Sequence, residues 1–230
     1  MKKYIYILSI LFSISRSSQE LYWYDVILEV DGTNSDEFEE TVETYYSSVD
    51  FPEGVNMSFS SINLKGQGFK ETHILSFVSP SSQSLANLRA SLSGEKWENY
   101  LDLVGPFFEN VRVSAGNATQ VYNAEQFYPI GQVWSFKVKS KHVPQFSQAF
   151  AKLMQTFEAP GFVGLANVTH GISNGENLLI YGTYPNLNSA FTFGPKNENE
   201  VKAFSQFNDL VGDISEFTQS WTRVLIKSYE

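Results

Sequence analysis

One pattern of apolar residues occurs twice in the chain, 108 residues apart. Its members follow one another at helical spacing, so each copy predicts an amphipathic helix with one buried stripe. A second helical pattern near the end of each half repeats at a distance of 107 residues. Tandem duplication produces such matching distances, and the sequence therefore predicts two copies of one unit. The first set is Phe38, Val42, Tyr45, Tyr46 and Val49, matched by Phe146, Phe150, Leu153, Met154 and Phe157; the second is Trp97, Tyr100, Leu103, Val104 and Phe107, matched by Phe204, Phe207, Leu210, Val211 and Ile214.

Segments rich in aromatic and β-branched residues surround these helices and predict strands. In each half the resulting order is β-α-β-β-α-β, which is the order of a ferredoxin-like unit. We therefore predict an α+β protein with a first repeat at 19–123, a linker at 124–131 and a second repeat at 132–230. The predicted strands are 21–30, 55–64, 69–79 and 111–123 in the first repeat, and 132–140, 162–170, 177–184 and 218–229 in the second.

The first 18 residues have the features of a secretory signal peptide. Lys2 and Lys3 precede a short apolar run at 4–12, and small serines follow it. The run is too short to span a bilayer. We expect cleavage and export to the periplasm or the extracellular space. Arg16 lies beside the expected cleavage site, so a retained N-terminal anchor is the alternative.

The charge and the cysteine content exclude several classes of function. The formal charge is −9, and it becomes more negative once the basic signal segment is left out. An acidic surface repels nucleic acid and anionic lipid, so we expect neither as a partner, and no membrane for the mature form. The chain has no cysteine, which excludes disulfides, zinc-thiolate sites and thiol catalysis. No histidine pair has metal-binding spacing, and the sequence predicts no metal and no cofactor.

Two such units in one chain, with apolar residues on both strand faces, resemble the dimeric α+β barrel superfamily. The resemblance covers about 21–230 and rests on element order and periodicity. It implies that the two ferredoxin-like sheets form one barrel with the helices outside, so that the chain is a monomeric pseudo-dimer. Members of the superfamily include antibiotic-biosynthesis-type monooxygenases, haem-degrading enzymes and stress-responsive barrels. The sequence contains none of their active-site motifs.

Side-chain alternation assigns a set of candidate ligand-binding residues to the inner face of the barrel. Residues at odd positions of the first strand share one face, which carries Trp23, Asp25 and Glu29. In the matching strand of the second repeat that face carries Lys137 and Lys139. Buried charges must be paired or hydrated. We therefore expect the two acids to pair with the two lysines across the repeats, or all four to line a wet pocket.

His73 and Trp97 each allow two interpretations. His73 shares a predicted strand face with Phe69, Leu75 and Phe77. If that face lines the barrel, His73 is a candidate haem ligand or proton shuttle; otherwise it is a hydrogen-bonded core histidine. Trp97 matches Phe204 in the repeat, which favours packing over ligand stacking for both.

The sequence therefore favours an exported, non-catalytic module that binds a small apolar or aromatic ligand, or a protein partner. The alternative is a cofactor-poor monooxygenase or haem-handling enzyme, as the resemblance allows. The two hypotheses differ in what lies between the two sheets. An open space onto which Trp23 and His73 converge favours the enzyme, and a filled barrel favours binding through the outer surface.

Overall fold

The structure, a computed structural model, describes residues 20–230, and the predicted signal peptide lies outside this range. Two sets of elements follow one another in the same order. The first set is β1 (Leu21–Val30), α1 (Ser35–Tyr46), β2 (Asn56–Lys65), β3 (His73–Ser79), α2 (Ser82–Ser91), α3 (Glu95–Val104) and β4 (Phe108–Tyr122). The second set is β5 (Ile130–Val138), α4 (Val143–Leu153), β6 (Val163–His170), β7 (Leu178–Tyr184), α5 (Leu187–Phe191), α6 (Glu198–Gly212) and β8 (Ser215–Tyr229).

The eight strands form one closed antiparallel barrel in the order β1-β3-β2-β8-β5-β7-β6-β4. Within each repeat the order is that of a ferredoxin-like sheet, β4-β1-β3-β2 and β8-β5-β7-β6. Strand β2 pairs with β8 and strand β4 pairs with β6, so hydrogen bonds between the repeats close the barrel. The predicted tandem α+β barrel is thereby confirmed. Closure leaves the sheet without unpaired edges, which removes the main route to edge-to-edge aggregation.

The helices cover the outer face of the barrel, and a separate apolar core lies under them in each repeat. In the first repeat, Phe38 of α1 packs on Phe59 of β2, and both are fully buried. In the second repeat, Phe146 of α4 packs edge to face on Phe207 of α6. A third, smaller cluster lies inside the barrel and contains Ile27, Ile62, Ile74, Val133 and Trp221. Apolar residues therefore occupy both faces of the strands.

Trp97 and Phe204 are partly buried, and each packs against the apolar core of its own repeat, as the packing interpretation predicts. Trp97 lies in the first turn of α3, near the edge of the helix layer, where the Arg89 guanidinium is 5.7 Å from its ring centre. The buried positions belong to the residues one turn further along, Tyr100 and Phe207.

Candidate functional site

A cavity of about 130 Å³ lies inside the barrel. All eight strands contribute to its wall, and most of the lining side chains are apolar or aromatic. We call this cavity the lumen. Among the described residues, nine polar side chains interrupt the apolar wall, and four of these carry a charge. In small-molecule sites such groups fix the orientation of the ligand. Its wall includes Trp23, Asp25, Phe162, Leu179, Tyr181 and Arg223.

Strand β1 supplies two of the candidate residues predicted from the sequence. Trp23 and Asp25 line the lumen, whereas Val26 and Leu28 contact the helix-side core. The assignment of the odd-numbered face of β1 to the barrel interior is therefore confirmed. Asp25 lies opposite Ser76 of β3 and Ser114 of β4 in the strand pairing, and its carboxylate accepts a hydrogen bond from Ser76.

A glycine opposite Trp23 provides the space that its indole needs. Gly116 pairs with Trp23, and a Cβ atom at Gly116 would lie 2.9 Å from Trp23 Cζ2 and 1.8 Å from the backbone oxygen of Asn167. In the second repeat the large and the small residue have exchanged strands. The small residue, Gly131, lies on β5, and the large residue opposite it, Arg223, lies on β8. The indole Nε1 of Trp23 is buried and has no hydrogen-bond partner among the described residues.

Arg223 of β8 is the main residue of the lumen that sequence reasoning missed. It is 2% exposed. Its Nη1 donates to Ser60 Oγ at 3.0 Å, and its Nη2 donates to the Tyr181 hydroxyl. The guanidinium also lies 5.5 Å from the ring centre of Phe127. The protein thus holds this cation by two neutral oxygens and by aromatic faces.

Asp25 is poised to exchange a proton near neutral pH. Burial raises the pKa of its carboxyl to about 6. The hydrogen bond from Ser76 and the positive charges of Arg223 and Arg112 oppose this rise without cancelling it. Arg223 makes no ion pair with Asp25, so the carboxylate keeps free acceptor capacity. A carboxyl with such a pKa can accept or donate a proton in the physiological range.

The two ends of the lumen differ in how they are closed. Where β1 begins, Phe127 of the linker covers the opening, with its ring centre 5.5 Å from that of Phe162, and it is 48% exposed. At the other end Arg112 joins the two hairpin connections. Its Nε lies 3.1 Å from Glu71 Oε1, and its Nη1 donates to Ser173 Oγ at 3.2 Å. The Phe127 end therefore offers the simpler route of entry.

The expected pairing of the two acids of β1 with lysines of the second repeat is wrong. Glu29 Oε2 accepts from Asn110 Nδ2 at 2.8 Å, and Lys70 Nζ lies 3.4 Å from its Oε1, so both partners belong to the first repeat. Lys137 is exposed, and its Nζ lies 3.9 Å from Glu216 Oε2. Lys139 follows the end of β5 and is exposed. Glu29 and Lys137 lie near the strand ends, where side chains reach solvent and local partners.

His73 lies on the helix side of the barrel and not in the lumen. Its ring packs between Phe38 and Phe59, and it is 2% exposed. The Nε2 atom lies 3.0 Å from Glu39 Oε1, and Nδ1 lies 3.0 Å from Thr72 Oγ1. Phe69, predicted on the same strand, lies in the turn before β3. The hypothesis of a core histidine therefore describes this site, and a lumen role for His73 is wrong.

Burial lowers the pKa of His73, although the hydrogen bond and negative charge of Glu39 oppose the change. The unfolded chain therefore binds the proton more tightly than the folded protein does. We expect the contribution of His73 to stability to be complete above the unfolded pKa of about 6.5 and to be lost as pH falls below it. Urea denaturation at pH 7.5 and pH 5.0 should show the stability difference between wild type and His73→Leu shrinking at the lower pH. A constant difference would contradict this assignment.

Several solved structures share this architecture. A proposed monooxygenase from Fusobacterium nucleatum subsp. nucleatum is 14% identical, with a TM-score of 0.62 over 92% of this chain and 94% of that one. Another from Lactobacillus acidophilus is 13% identical, with a TM-score of 0.62 over 90% and 95%. An anthrone oxidase-like protein is 10% identical, with a TM-score of 0.61 over 93% and 94%. The chain has the dimeric α+β barrel fold. At these identities the likeness concerns the fold alone.

No protein-family model matches the sequence of this α+β barrel, and no curated protein is significantly similar to it. Within residues 20–230, no helix is both long enough and apolar enough to cross a membrane. The same residues contain no cluster of histidine, aspartate and glutamate side chains arranged to hold a metal ion.

Haem, which the superfamily resemblance implies for some members, does not fit the lumen. A cavity of about 130 Å³ is close in size to an engineered cavity that holds a single benzene ring, which is far smaller than a porphyrin. No histidine lines the lumen, and His73, the former candidate ligand, is held by Glu39 on the other side of the sheet. We therefore derive no haem chemistry for this cavity.

A second cavity of about 190 Å³ lies between the barrel and the helices of the second repeat. Its wall is aromatic and includes Trp134 and Phe193, whose ring centres are 5.3 Å apart. In the first repeat the corresponding layer contains stacked rings, such as Tyr45 on Tyr100 at 4.1 Å. The second repeat is thus the less densely packed of the two.

Gly182→Ala is expected to stabilise the protein by about 0.5–1 kcal/mol, because the residue has an ordinary strand conformation and alanine restricts the unfolded chain. The added methyl would enter this second cavity and contact Trp134 Cζ3 at 3.5 Å, an ordinary van der Waals distance. Chemical denaturation of the variant and the wild type measures the difference. A loss of stability would show that the second cavity has no room for a methyl group beside Gly182.

Proposed function

We propose that this protein is an exported binding module whose barrel lumen takes a single-ring apolar or aromatic ligand. The observation that supports the proposal is the lumen itself. Well-packed protein interiors contain few voids larger than a water molecule, so a cavity of about 130 Å³ in the centre of a barrel requires an explanation. A ligand that fills it restores the lost packing contacts.

The size and chemistry of the lumen limit the ligand. An engineered apolar cavity of about 150 Å³ is known to accept benzene, so the lumen matches one aromatic ring better than two. Leu179, Phe162 and Trp23 present apolar surface to such a ring. Rotation of the half-exposed Phe127 side chain would open the covered end.

Toluene binding to the purified protein tests the proposal. We expect protein-detected NMR to give a dissociation constant of about 0.1–1 mM, a normal affinity for so small an apolar ligand. Ala166→Leu adds three carbon atoms to the lumen wall and should abolish binding, and Ala118→Val is a milder second variant at the same wall. Gly182→Ala alters only the second cavity, which lies between the barrel and the helices and is called the helix-side cavity below, and this variant serves as the matched control.

The expected pattern is loss of toluene binding in Ala166→Leu and unchanged binding in Gly182→Ala. The reverse pattern would place the ligand in the helix-side cavity and contradict the proposal. Failure of the wild type to bind toluene near its solubility limit would also contradict it. Bound ligand should in addition raise the melting temperature in proportion to the logarithm of its concentration.

A cofactor-independent oxygenase is the second candidate function. The observation that favours it is Asp25, a carboxyl with a pKa of about 6 on the wall of the lumen. In this role Asp25 would remove a proton from a bound aromatic weak acid before the acid meets oxygen. Oxygen uptake with a panel of such acids, compared between wild type and Asp25→Asn, tests this function. Equal uptake by the two proteins would exclude Asp25 from the reaction.

A further inference from the structure

Arg223 carries a buried charge whose hydrogen-bonding capacity is only partly used. A guanidinium has five N–H donors. In Arg223, one on Nη1 donates to Ser60 and one on Nη2 donates to the Tyr181 hydroxyl, which leaves three without a partner among the described residues. No nitrogen of Arg223 is among the buried atoms that lack both a partner and accessible surface, unlike Nε1 of Trp23. Because Arg223 lines the lumen, a bound molecule can reach its unused donors.

No carboxylate of the described residues neutralises Arg223. The other arginine of the lumen wall, Arg112, has its Nε 3.1 Å from Glu71 Oε1 and its Nη1 3.8 Å from Glu176 Oε1. Arg223 forms no such ion pair, and Asp25 interacts with its charge only over a longer distance. Isolated buried charges are costly, and native proteins usually pair them. Arg223 is therefore a buried cation that lacks a counter-ion.

We propose that the lumen takes single-ring aromatic carboxylates and holds the carboxylate against the unused N–H groups of Arg223. This inference rests on the proposed function, because it names the ligand class of the same cavity. A carboxylate presents only acceptors, and its two oxygens can accept from two N–H groups of one guanidinium. The ring of the ligand would lie against the apolar wall at Phe162 and Leu179.

The position of Arg223 suits a ligand that enters with its ring first. The guanidinium lies 5.5 Å from the ring centre of Phe127, which covers the opening. The ring of the ligand can pass on to the apolar part of the wall, while its carboxylate stays beside Arg223 near the opening. A charge held near the opening loses less hydration than one in the centre of the barrel, so its desolvation cost is smaller.

Asp25 is the other charged group of this wall without an ion pair, and it would favour a ligand cation instead. The two charges differ in how firmly they are fixed. A guanidinium stays charged throughout the physiological pH range, whereas burial raises the pKa of Asp25 to about 6, so that one proton can remove its charge. An anion beside Arg223 can therefore coexist with a neutral Asp25. A cation beside Asp25 would meet the permanent charge of Arg223, and Arg112 and Glu176 largely compensate each other.

The test compares benzoate with benzamide, toluene and acetate on the purified wild-type protein by NMR titration at pH 7.5. Benzoate and benzamide have nearly the same shape, so their affinity ratio isolates the negative charge. We expect benzoate to bind about tenfold more tightly than benzamide, because hydrogen bonds between charged groups are stronger than those to a neutral acceptor. Acetate lacks the ring and should bind much more weakly than benzoate. This comparison does not depend on how well any variant folds.

Variants then assign the preference to its residue. Arg223→Gln removes the charge and should bring the affinities for benzoate and benzamide close together, whereas Arg223→Lys keeps the charge with fewer donors and should retain part of the preference. Asp25→Asn removes the opposing charge and should tighten benzoate binding by about threefold or more. Arg89→Gln removes an exposed guanidinium on α2 and is the matched control, with an unchanged preference. Thermal unfolding confirms that each variant is folded before it is titrated.

The outcomes separate this inference from the proposed function. Binding of toluene without a preference for benzoate over benzamide would overturn the inference and leave the lumen as an apolar site. A preference that persists in Arg223→Gln or in Ala166→Leu would place the anion elsewhere and overturn the inference as well. Acetate binding as tight as that of benzoate would overturn it because the ring would then play no part. If neither toluene nor benzoate binds, the proposed function fails together with the inference.

Discussion

The Asp25→Asn variant is expected to be more stable than the wild type at pH 7 by about 2–3 kcal/mol. Burial raises the folded pKa of Asp25 from 3.8 to about 6, and each pKa unit corresponds to about 1.4 kcal/mol. Because the folded pKa lies above the unfolded one, the folded protein binds the proton more tightly. Ionisation therefore costs stability progressively as pH rises from about 4 to about 6, and the full cost remains at pH 7. An amide cannot ionise, so the variant avoids this cost.

Chemical denaturation at several pH values between 4 and 8 measures the effect. The advantage of Asp25→Asn should disappear near pH 4, where the wild-type carboxyl is protonated in both states. Glu29→Gln is the matched control, since Glu29 lies further along the same strand face and Asn110 and Lys70 lower its pKa. That control should show no comparable gain. Equal stability of Asp25→Asn and wild type at pH 7 would contradict the placement of Asp25 in a poorly solvated lumen. A stability gain from removing a charged residue is typical of functional sites.

The Gly116→Ala variant is expected to lose about 3 kcal/mol of stability. The new Cβ would lie 1.8 Å from the backbone oxygen of Asn167, on the strand of the other repeat that pairs with β4. A backbone atom in a closed barrel cannot rotate away, so β4 and β6 must separate locally. The change therefore tests the junction between the two repeats and the space that the Trp23 indole occupies.

Gly131→Ala is the informative comparison, because Gly131 lies opposite Arg223 in β5 and β8 as Gly116 lies opposite Trp23 in the corresponding strand pair of the first repeat. Its added Cβ would meet side-chain atoms of Tyr181 and Arg223 at 2.4 and 2.8 Å, and no backbone oxygen is among its nearest neighbours. Side chains adjust more readily than a paired strand, so we expect a smaller loss, about 1–2 kcal/mol. Urea denaturation of the wild type, Gly116→Ala and Gly131→Ala gives the order of their free energies of unfolding. A loss below about 1 kcal/mol for Gly116→Ala would mean that the barrel does not close as described.

The topology could be predicted from the sequence because the duplication is preserved at helix positions. Phe38 and Phe146 are both fully buried, as their matching places in the repeat require. The face of β1 that points into the barrel could also be predicted, because β1 is apolar on both faces and only one of them also carries the charged side chain of Asp25. The sequence left both interpretations of His73 open because β3 has apolar residues on both faces. The pairing of Asp25 with Ser76, which the sequence does not reveal, fixes the other face of β3 as the lumen side.

The charged residues were the least predictable part of the site. Strand alternation places Glu29 on the inner face, but it does not reveal that Lys70 approaches from the hairpin connection of the same repeat. Arg223 was missed because β8 pairs with strands of both repeats, and bulges near Ser60 and Ser135 disturb its alternation. An arginine two residues after Trp221 in a predicted strand was the available signal. Its burial depends on barrel closure, which is a property of the tertiary structure.

A crystal structure of the protein equilibrated with bromobenzene would show directly whether an aromatic ring occupies the lumen, because bromine scatters anomalously and marks the ring without ambiguity. We expect an anomalous peak in the lumen, with the ring between Trp23, Phe162 and Leu179. A peak confined to the helix-side cavity beside Trp134 and Phe193, with the lumen closed by its own side chains, would contradict it.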